Sequence, residues 1–221
     1  MPLVREYLDL SGRSPFARWF QGLDTHAAAK VTVALARVEM GNLSNVKGVG
    51  GGVLEYRVDW GPGYRLYFGR DGETLVILLA GGPREASSVI SPRRGSAGPT
   101  TGGGRERRDE MALTRDFKET IQARARRDPA FGQALLQEAV ATMLEGDLET
   151  GKAVLRDYIN ATIGFEALAR ATGTPPKSLM RMFGPRGNPQ ASNLFAVLSH
   201  LQKQGGSHLE VRTEDRQVAQ G

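Results

Sequence analysis

The spacing of apolar residues predicts a strand and two helices at the start of the chain. Residues 3 to 9 have the composition of a strand. Ser14 and Asp24 are N-cap residues, whose side chains accept hydrogen bonds from the free amide groups of a helix start, and each predicts a helix. In the second helix apolar residues recur at helical spacing until Gly41 ends it.

From residue 53 onward the period of the pattern changes to two. Residues 53 to 60 and 64 to 69 alternate between apolar and polar, and residues 74 to 80 form a fully apolar strand. Glycine-containing turns, GPG and RDGE, separate these segments. The pattern predicts the order β-α-α-β-β-β, with two helices packed on a small, mostly antiparallel sheet.

The remainder of the chain has helical periodicity and predicts an all-α unit. Thr114, Asp128 and Asp147 are expected to cap three helices, and Asp128 is followed by proline, which favours a first helical position. Three shorter helices follow, at residues 164 to 172, 177 to 183 and 193 to 204. The end of the chain, from residue 208, is expected to add a short strand.

A segment without large apolar side chains separates the two parts. Residues 91 to 110 contain five glycines and two prolines, a composition that favours a flexible linker. The predicted organisation is therefore an α+β domain at 1 to 90, a linker at 91 to 110, and an all-α domain at 111 to 221. Met111 and the small residue after it have the form of a second translation start.

Composition excludes several classes of site. The chain has no cysteine and three scattered histidines, so we expect neither disulfides nor a metal site, and no cofactor. No apolar run approaches the length of a membrane span, and acids in the first ten residues do not fit a signal peptide, which predicts a cytoplasmic protein without membrane contact. The net charge of +5 permits nucleic-acid binding.

Residues 164 to 190 have the organisation of a helix-turn-helix. Gly173 is placed to adopt the positive φ that ends the first helix. Leu179, Met182 and Phe183 are expected to face inward. This segment holds four basic residues against one acid, and short polar or basic side chains at the start of the second helix suit major-groove edges and phosphates. The candidate DNA-binding residues are Thr174, Lys177, Ser178, Arg181 and Arg186. The alternative is a helical hairpin with a solvated basic face.

Basic residues also recur on the predicted sheet. The candidate catalytic residues are Lys47, Arg57, Arg65 and Arg84. Such a set suits phosphodiester cleavage without metal, in which a ribose 2′-hydroxyl attacks phosphorus and fixed cations stabilise the added charge. The planar fork of arginine binds phosphate oxygens bidentately. The alternative is that these arginines form the solvated side of the sheet.

The second part of the chain resembles antitoxins of the HigA type. The resemblance covers residues 111 to 212 through MALTRDFKET, GKAVLRDYINATIGFEALARATGTPPKSLMRMFG and GNPQASNLFAVLSHL. It implies a protein that binds operator DNA through the helix-turn-helix, represses its own operon and neutralises a partner toxin. Because helix-turn-helix proteins generally read two half-sites, we expect a homodimer.

The first part resembles toxins of the RelE/ParE superfamily, closest to the HigB-like proteins. The resemblance covers residues 1 to 85 through FARWFQGLD, GNLSNVKGVGGGVLEYRVDWGPGYRLYF and LVILLAGG. It implies a ribonuclease that cleaves mRNA, commonly on the ribosome, with Lys47, Arg57 and Arg65 as the basic site and Arg84 after the final strand. The chain departs from the family after that strand, where GGPREASSVISPRRG has no tyrosine or histidine for proton transfer. Tyr67 is the alternative hydroxyl.

Two hypotheses follow from the resemblances. In the first, the chain joins a ribonuclease toxin to its antitoxin, with the two in intramolecular or intermolecular contact. In the second, it is a DNA-binding regulator that carries an inactive toxin-like domain. Three other features are interpreted structurally: Phe16, Trp19 and Phe20 as helix packing, His26 as exposed, and the RARRD run at 124 to 128 as a solvated helix end.

Overall fold

The architecture comes from a computed structural model that describes residues 2 to 81, 113 to 206 and 208 to 211. The predicted linker, Met111 and Arg84 lie outside the described residues. Within the described ranges, no helix is both long and apolar enough to cross a membrane. We refer to residues 2 to 81 as the first half and to residues 113 to 211 as the second half.

The first half follows the predicted order with one additional strand. Its elements are β1 (Leu3–Tyr7), α1 (Pro15–Gln21), α2 (Thr25–Glu39), β2 (Val46–Gly50), β3 (Val53–Val58), β4 (Tyr64–Asp71) and β5 (Thr74–Gly81). Both predicted N-caps are confirmed: Ser14 Oγ accepts from the amide of Ala17 at 3.0 Å, and Asp24 Oδ1 accepts from the amide of Ala27 at 3.0 Å.

The strand that the sequence pattern missed is β2. It contains two glycines, and every residue after Val46 is exposed, so it carries no apolar alternation. It forms because its backbone pairs with β3, with Lys47 opposite Glu55. The order β-α-α-β-β-β was therefore wrong by one strand, since a short edge strand depends on its partner rather than on its own composition.

The six strands of the described residues form a single sheet in the order β2-β3-β4-β5-β1-β6. β1 runs parallel to β5, and the other neighbours are antiparallel, which confirms a mostly antiparallel sheet. The last strand, β6 (Thr114–Asp116), comes from the second half and pairs with β1. Both halves therefore contribute to one sheet.

The start of the second half differs from the all-helical prediction. Thr114 lies in a strand opposite Tyr7 and does not cap a helix. Its hydroxyl accepts a hydrogen bond of 2.8 Å from Nε of Arg5, a partner 109 residues away. Asp116 instead caps the following helix, where it accepts from the amide of Lys118 at 3.0 Å. Threonine suits both a strand and a cap, and the tertiary partner decides between them.

The second half continues with six helices in its described residues. They are α3 (Phe117–Arg127), α4 (Pro129–Leu144), α5 (Leu148–Ala161), α6 (Phe165–Thr172), α7 (Pro176–Met182) and α8 (Ala191–Gln204). Asp128 and Asp147 cap α4 and α5 as predicted. Residues 208 to 211 have no regular secondary structure, so the strand expected from residue 208 does not form there.

Helix α2 lies at the centre of the architecture. Ten of its fifteen residues are buried, including Val31 and Leu35, which belong to the core beneath the sheet. Val33 and Ala34 are each 3% exposed and share the helix face of Lys30, whose side chain contacts α4. A helix that is apolar on most sides is buried on most sides, and α2 packs on the sheet and on α4 and α5.

Candidate functional sites

Five side chains form a polar patch on the face of the sheet opposite α2. The strand register places Lys47 opposite Glu55, Glu55 opposite Tyr67, and Arg57 opposite Arg65. Residues directly opposite each other, and residues two apart on one strand, share a face of the sheet. We call Lys47, Glu55, Arg57, Arg65 and Tyr67 the basic face. It brings together three of the four predicted catalytic residues; the fourth, Arg84, lies outside the described residues.

Glu55 organises the basic face, and the sequence interpretation did not include it. Its carboxylate accepts hydrogen bonds from Arg57 Nε at 2.9 Å and from the Tyr67 hydroxyl at 3.1 Å, and Arg65 Nε lies 3.5 Å away. Burial acts to raise the pKa of Glu55, but the bonds from Arg57 and Tyr67 outweigh it, so the pKa is lowered and the carboxylate stays ionised. The sequence signal for Glu55 was strand alternation, which places Glu55 and Arg57 on the same face of β3.

The cations of this patch remain accessible despite their partner. The Arg57 side chain is 49% exposed and that of Arg65 30%. The Lys47 side chain is exposed and makes no hydrogen bond or ion pair with any described residue. Tyr67, by contrast, is 6% exposed. Burial, followed by the hydrogen bond to Glu55, raises the pKa of Tyr67, which keeps its hydroxyl protonated.

The second patch surrounds the turn between α6 and α7. Gly173 has φ of +68° and ends α6, as predicted. Leu179 and Phe183 are buried and Met182 is partly buried, so these three anchor α7 inward. Lys177 and the other candidate side chains on this segment are at least partly exposed. We call Thr174, Lys177, Ser178, Arg181 and Arg186 the α6–α7 surface.

Four of the five residues of the α6–α7 surface line one open depression. It is lined by Thr174, Ser178, Arg181 and Arg186, and Lys177 lies exposed beside it. Three amide side chains that the sequence interpretation did not single out line the same depression: Asn188, Gln190 and Asn193. The polar residues before and at the start of α8 were the signal for them. Within the described residues, no ion pair neutralises the cations of this surface.

A buried lysine holds the loop that carries Arg186. Lys152 on α5 is 1% exposed; its ammonium group donates to Glu149 Oε1 at 2.7 Å and to the carbonyl of Gly187. A buried ammonium group needs such acceptors to offset its lost hydration. The bond to Gly187 thereby fixes the loop after α7 against α5.

The two halves meet across a buried polar cluster centred on Glu6. This residue of β1 is fully buried and accepts hydrogen bonds from Ser14 Oγ at 2.7 Å, Arg115 Nε at 2.6 Å and Thr120 Oγ1 at 2.7 Å. Ser14 is at the same time the N-cap of α1. A single carboxylate therefore connects β1 and the start of α1 to β6 and α3.

Arg124 forms a second anchor between the halves and corrects the interpretation of the RARRD run. It is 5% exposed rather than solvated, and it donates to the carbonyl of Phe20 and to that of Leu23 at 2.7 Å. The Phe20 carbonyl lies in the last turn of α1 and the Leu23 carbonyl lies just after the helix, where carbonyl groups lack the donor four residues later and bind other donors. The guanidinium carbon also lies 4.9 Å from the ring centre of Phe131. Burial lowers the pKa of Arg124.

The structure confirms the interpretations of the α1 aromatic residues and of His26. Phe16 and Phe20 are fully buried, and Trp19 is partly buried with its ring 6.1 Å from that of Tyr64. His26 is exposed. Among the described residues, no three histidine or acidic side chains come together in a way that would hold a metal ion.

Comparison with known proteins identifies a relative that is itself uncharacterized. No family model matches the chain, and no solved structure matches it. An uncharacterized protein of Haemophilus influenzae is 39% identical over 70 residues, which are 31% of this chain and 71% of that protein. At this identity and coverage, the chain belongs to the family of the Haemophilus influenzae protein.

Proposed function

We propose that this chain joins a RelE-like ribonuclease toxin to a HigA-like antitoxin that binds operator DNA and represses its own operon. The observation that carries the proposal is the α6–α7 surface, where candidate DNA-binding side chains from separate parts of the segment surround one depression without ion-pair partners among the described residues. Unpartnered exposed cations beside short polar groups are what a phosphate backbone and base edges require.

In this proposal α6 and α7 form a helix-turn-helix with α7 as the recognition helix. Lys177, Ser178 and Arg181 lie on α7, where they would meet the major groove, and Arg186 follows it. Lys152 binds the carbonyl of Gly187 in the loop after α7, and this bond would hold Arg186 in a fixed position relative to α7. Two copies would bind two half-sites, so the DNA-bound form is a homodimer.

The DNA-binding proposal is tested with the full chain and DNA from upstream of its coding sequence. Binding is measured by fluorescence anisotropy against a scrambled fragment of equal length over a range of salt concentrations. We expect the upstream fragment to bind at least about 1000-fold more tightly than the scrambled fragment. Equal affinities at every salt concentration would show that the basic charge acts without sequence recognition.

The basic face supports the ribonuclease part of the proposal. Arg57 and Arg65 would stabilise the charge that develops on the phosphate, and Lys47 would contact the RNA backbone. Glu55 is the ionised carboxylate of the patch, and it would accept the proton of the attacking 2′-hydroxyl. As the bond from oxygen 2′ to phosphorus forms, the bond to the 5′-oxygen would break and that oxygen would take a proton from water. No hydrogen bond or ion pair among the described residues joins this face to the second half. Neutralisation would therefore act by obstructing a large partner such as the ribosome.

The ribonuclease part is tested by induced expression of residues 1 to 90, alone and with residues 111 to 221 supplied in trans. We expect growth arrest and mRNA cleavage, rescue by the second segment, and loss of toxicity in Arg65→Ala. Arg70→Ala is the matched control, because Arg70 lies on the same strand, is exposed and is outside the basic face. Normal growth with intact mRNA, despite folded protein, would refute the nuclease activity.

A second candidate function is a DNA-binding regulator whose toxin-like half is inactive. The observation that favours it is the engagement of both Arg57 and Arg65 with Glu55, which competes with phosphate for the same guanidinium groups. The two functions separate in the experiment above, because a regulator retains operator binding while residues 1 to 90 leave mRNA intact.

A further inference from the structure

A cavity lies between the two halves, away from the basic face. Its volume is about 170 Å³, below the range of drug-sized sites, so it suits a small ligand. The first half contributes Leu3 and Met40 to its wall, and the second half contributes Phe183 from the segment after α7. These side chains give the cavity an apolar wall. We call it the junction cavity.

Two carboxylates in the wall, those of Glu39 and Asp157, have oxygens without a hydrogen-bond donor among the described residues. The Asp157 side chain on α5 is 7% exposed, lines the cavity, and makes no hydrogen bond with the described residues. Its nearest cation is the ammonium group of Lys118 at 4.0 Å, but that group lies 2.7 Å from Glu39 Oε2. Buried carboxylates are normally satisfied by hydrogen bonds. Asp157 therefore presents an unfilled acceptor to the cavity.

The charged groups that line the cavity leave carboxylate oxygens without hydrogen-bond donors. Its charged lining comprises the carboxylates Glu39, Glu149 and Asp157 and the cations Lys118 and Arg156. Lys118 is engaged by Glu39, and Glu149 is bound by Lys152. Glu39 Oε2 makes no hydrogen bond despite its ion pair with Lys118, and the Asp157 side chain makes none with the described residues. Both carboxylates lie next to the apolar wall.

We propose that the junction cavity binds a compact organic ammonium ion, which donates hydrogen bonds to Asp157 and packs its hydrocarbon part against Leu3, Met40 and Phe183. An ammonium group supplies three donors and a charge opposite to that of the carboxylate. Both halves form the wall, so the ligand can bind only when they are packed together in the folded chain. Because it does not bind the unfolded chain, it stabilises the folded state. The site is independent of RNA cleavage and DNA binding.

The test uses the full chain and n-butylammonium, with 1-butanol as the neutral isostere, at constant ionic strength and neutral pH. Binding is measured by calorimetry and by the shift in Tm. We expect a Kd on the order of 1 mM for butylammonium and a raised Tm. Asp157→Asn should weaken binding at least about 10-fold. Asp59→Asn, which removes an exposed carboxylate, should leave binding unchanged.

Three outcomes would overturn the proposal: no binding of butylammonium to the wild-type chain, equal affinity for 1-butanol, or undiminished affinity in Asp157→Asn. If Asp157→Asn does not fold, Ala153→Leu decides the matter, because Ala153 lines the cavity and the added carbon atoms fill it without changing charge. Binding that survives this substitution places the ligand elsewhere and refutes the site.

Discussion

Helices α2 and α7 both carry lysine and arginine side chains, but only those of α2 have acidic partners among the described residues. On α2, Lys30 lies 2.8 Å from Glu138 and Arg37 lies 2.9 Å from Asp147, so acids of the second half pair with both. On α7, which buries only Leu179, the cations Lys177 and Arg181 have no ion pair among the described residues. A cation with a fixed acid partner contributes to structure, whereas an exposed cation without one is available to a ligand.

The comparison predicts the largest stability loss where the halves meet around Glu6. Glu6→Ala leaves Arg115, Ser14 and Thr120 without their shared acceptor, and removal of one partner of a buried pair costs about 3 to 5 kcal/mol. Urea denaturation measures the free energy of unfolding. Glu73→Ala, at an exposed position of the first half, is the control and should change it by less than about 0.5 kcal/mol. Equal losses in the two variants would contradict the buried cluster.

The next effect is a dependence of stability on pH that originates at Asp157. Burial is the largest cause that raises its pKa, from 3.8 to about 6; Lys118 opposes the rise, Glu39 adds to it, and Arg156 opposes it. Between these values the folded chain binds more protons at Asp157 than the unfolded chain. The free energy of unfolding therefore falls as pH rises through this window, by about 3 kcal/mol.

Asp157→Asn should remove this fall, so the variant gains stability relative to the wild type between pH 4 and pH 7. Urea denaturation at several pH values measures the difference. Asp59→Asn is the control, since Asp59 is exposed. An identical pH profile in wild type and Asp157→Asn would show that the carboxyl titrates as it does in the unfolded chain.

On α7 the effect should appear in binding and not in stability. Arg181→Ala should weaken binding to the upstream DNA by about 1 to 3 kcal/mol if Arg181 reads a base, with the free energy of unfolding changed by less than about 0.5 kcal/mol. Arg126→Ala removes the same charge from an exposed position on α3 and serves as the control. Equal affinities of the two variants at matched salt would remove Arg181 from the proposed DNA-binding site.

The smallest effect belongs to the exposed rim of the junction. Arg37→Ala removes the ion pairs with Asp147 and Glu145, and because the Arg37 side chain is 29% exposed we expect a loss of about 0.5 to 1 kcal/mol. The loss should shrink at high salt because solvent ions screen partly exposed pairs. A loss as large as that of Glu6→Ala would mean that Arg37 contributes mainly through packing of its aliphatic part.

The candidate sites were predictable where side chains share a strand or a helix. Arg57 and Arg65 were expected on paired strands from the GPG turn between them, and the register confirms the pairing. Glu55 was within reach of the same alternation. The burial of Arg124 could not be predicted, because an exposed basic helix end and a buried arginine that binds another helix have the same local sequence. What distinguishes them is the end of α1, a hundred residues earlier in the chain.

The sequence by itself determined the elements whose stabilising contacts are local. Ser14, Asp24, Asp128 and Asp147 cap helices because each carboxylate or hydroxyl accepts from an amide within three residues, and Gly173 ends α6 because glycine adopts positive φ without a steric penalty. Only the tertiary structure decided the rest: β6 on the edge of the sheet, the burial of α2 between the halves, and the unfilled acceptor at Asp157. These features depend on groups about a hundred residues apart, whose meeting is set by packing and not by local spacing.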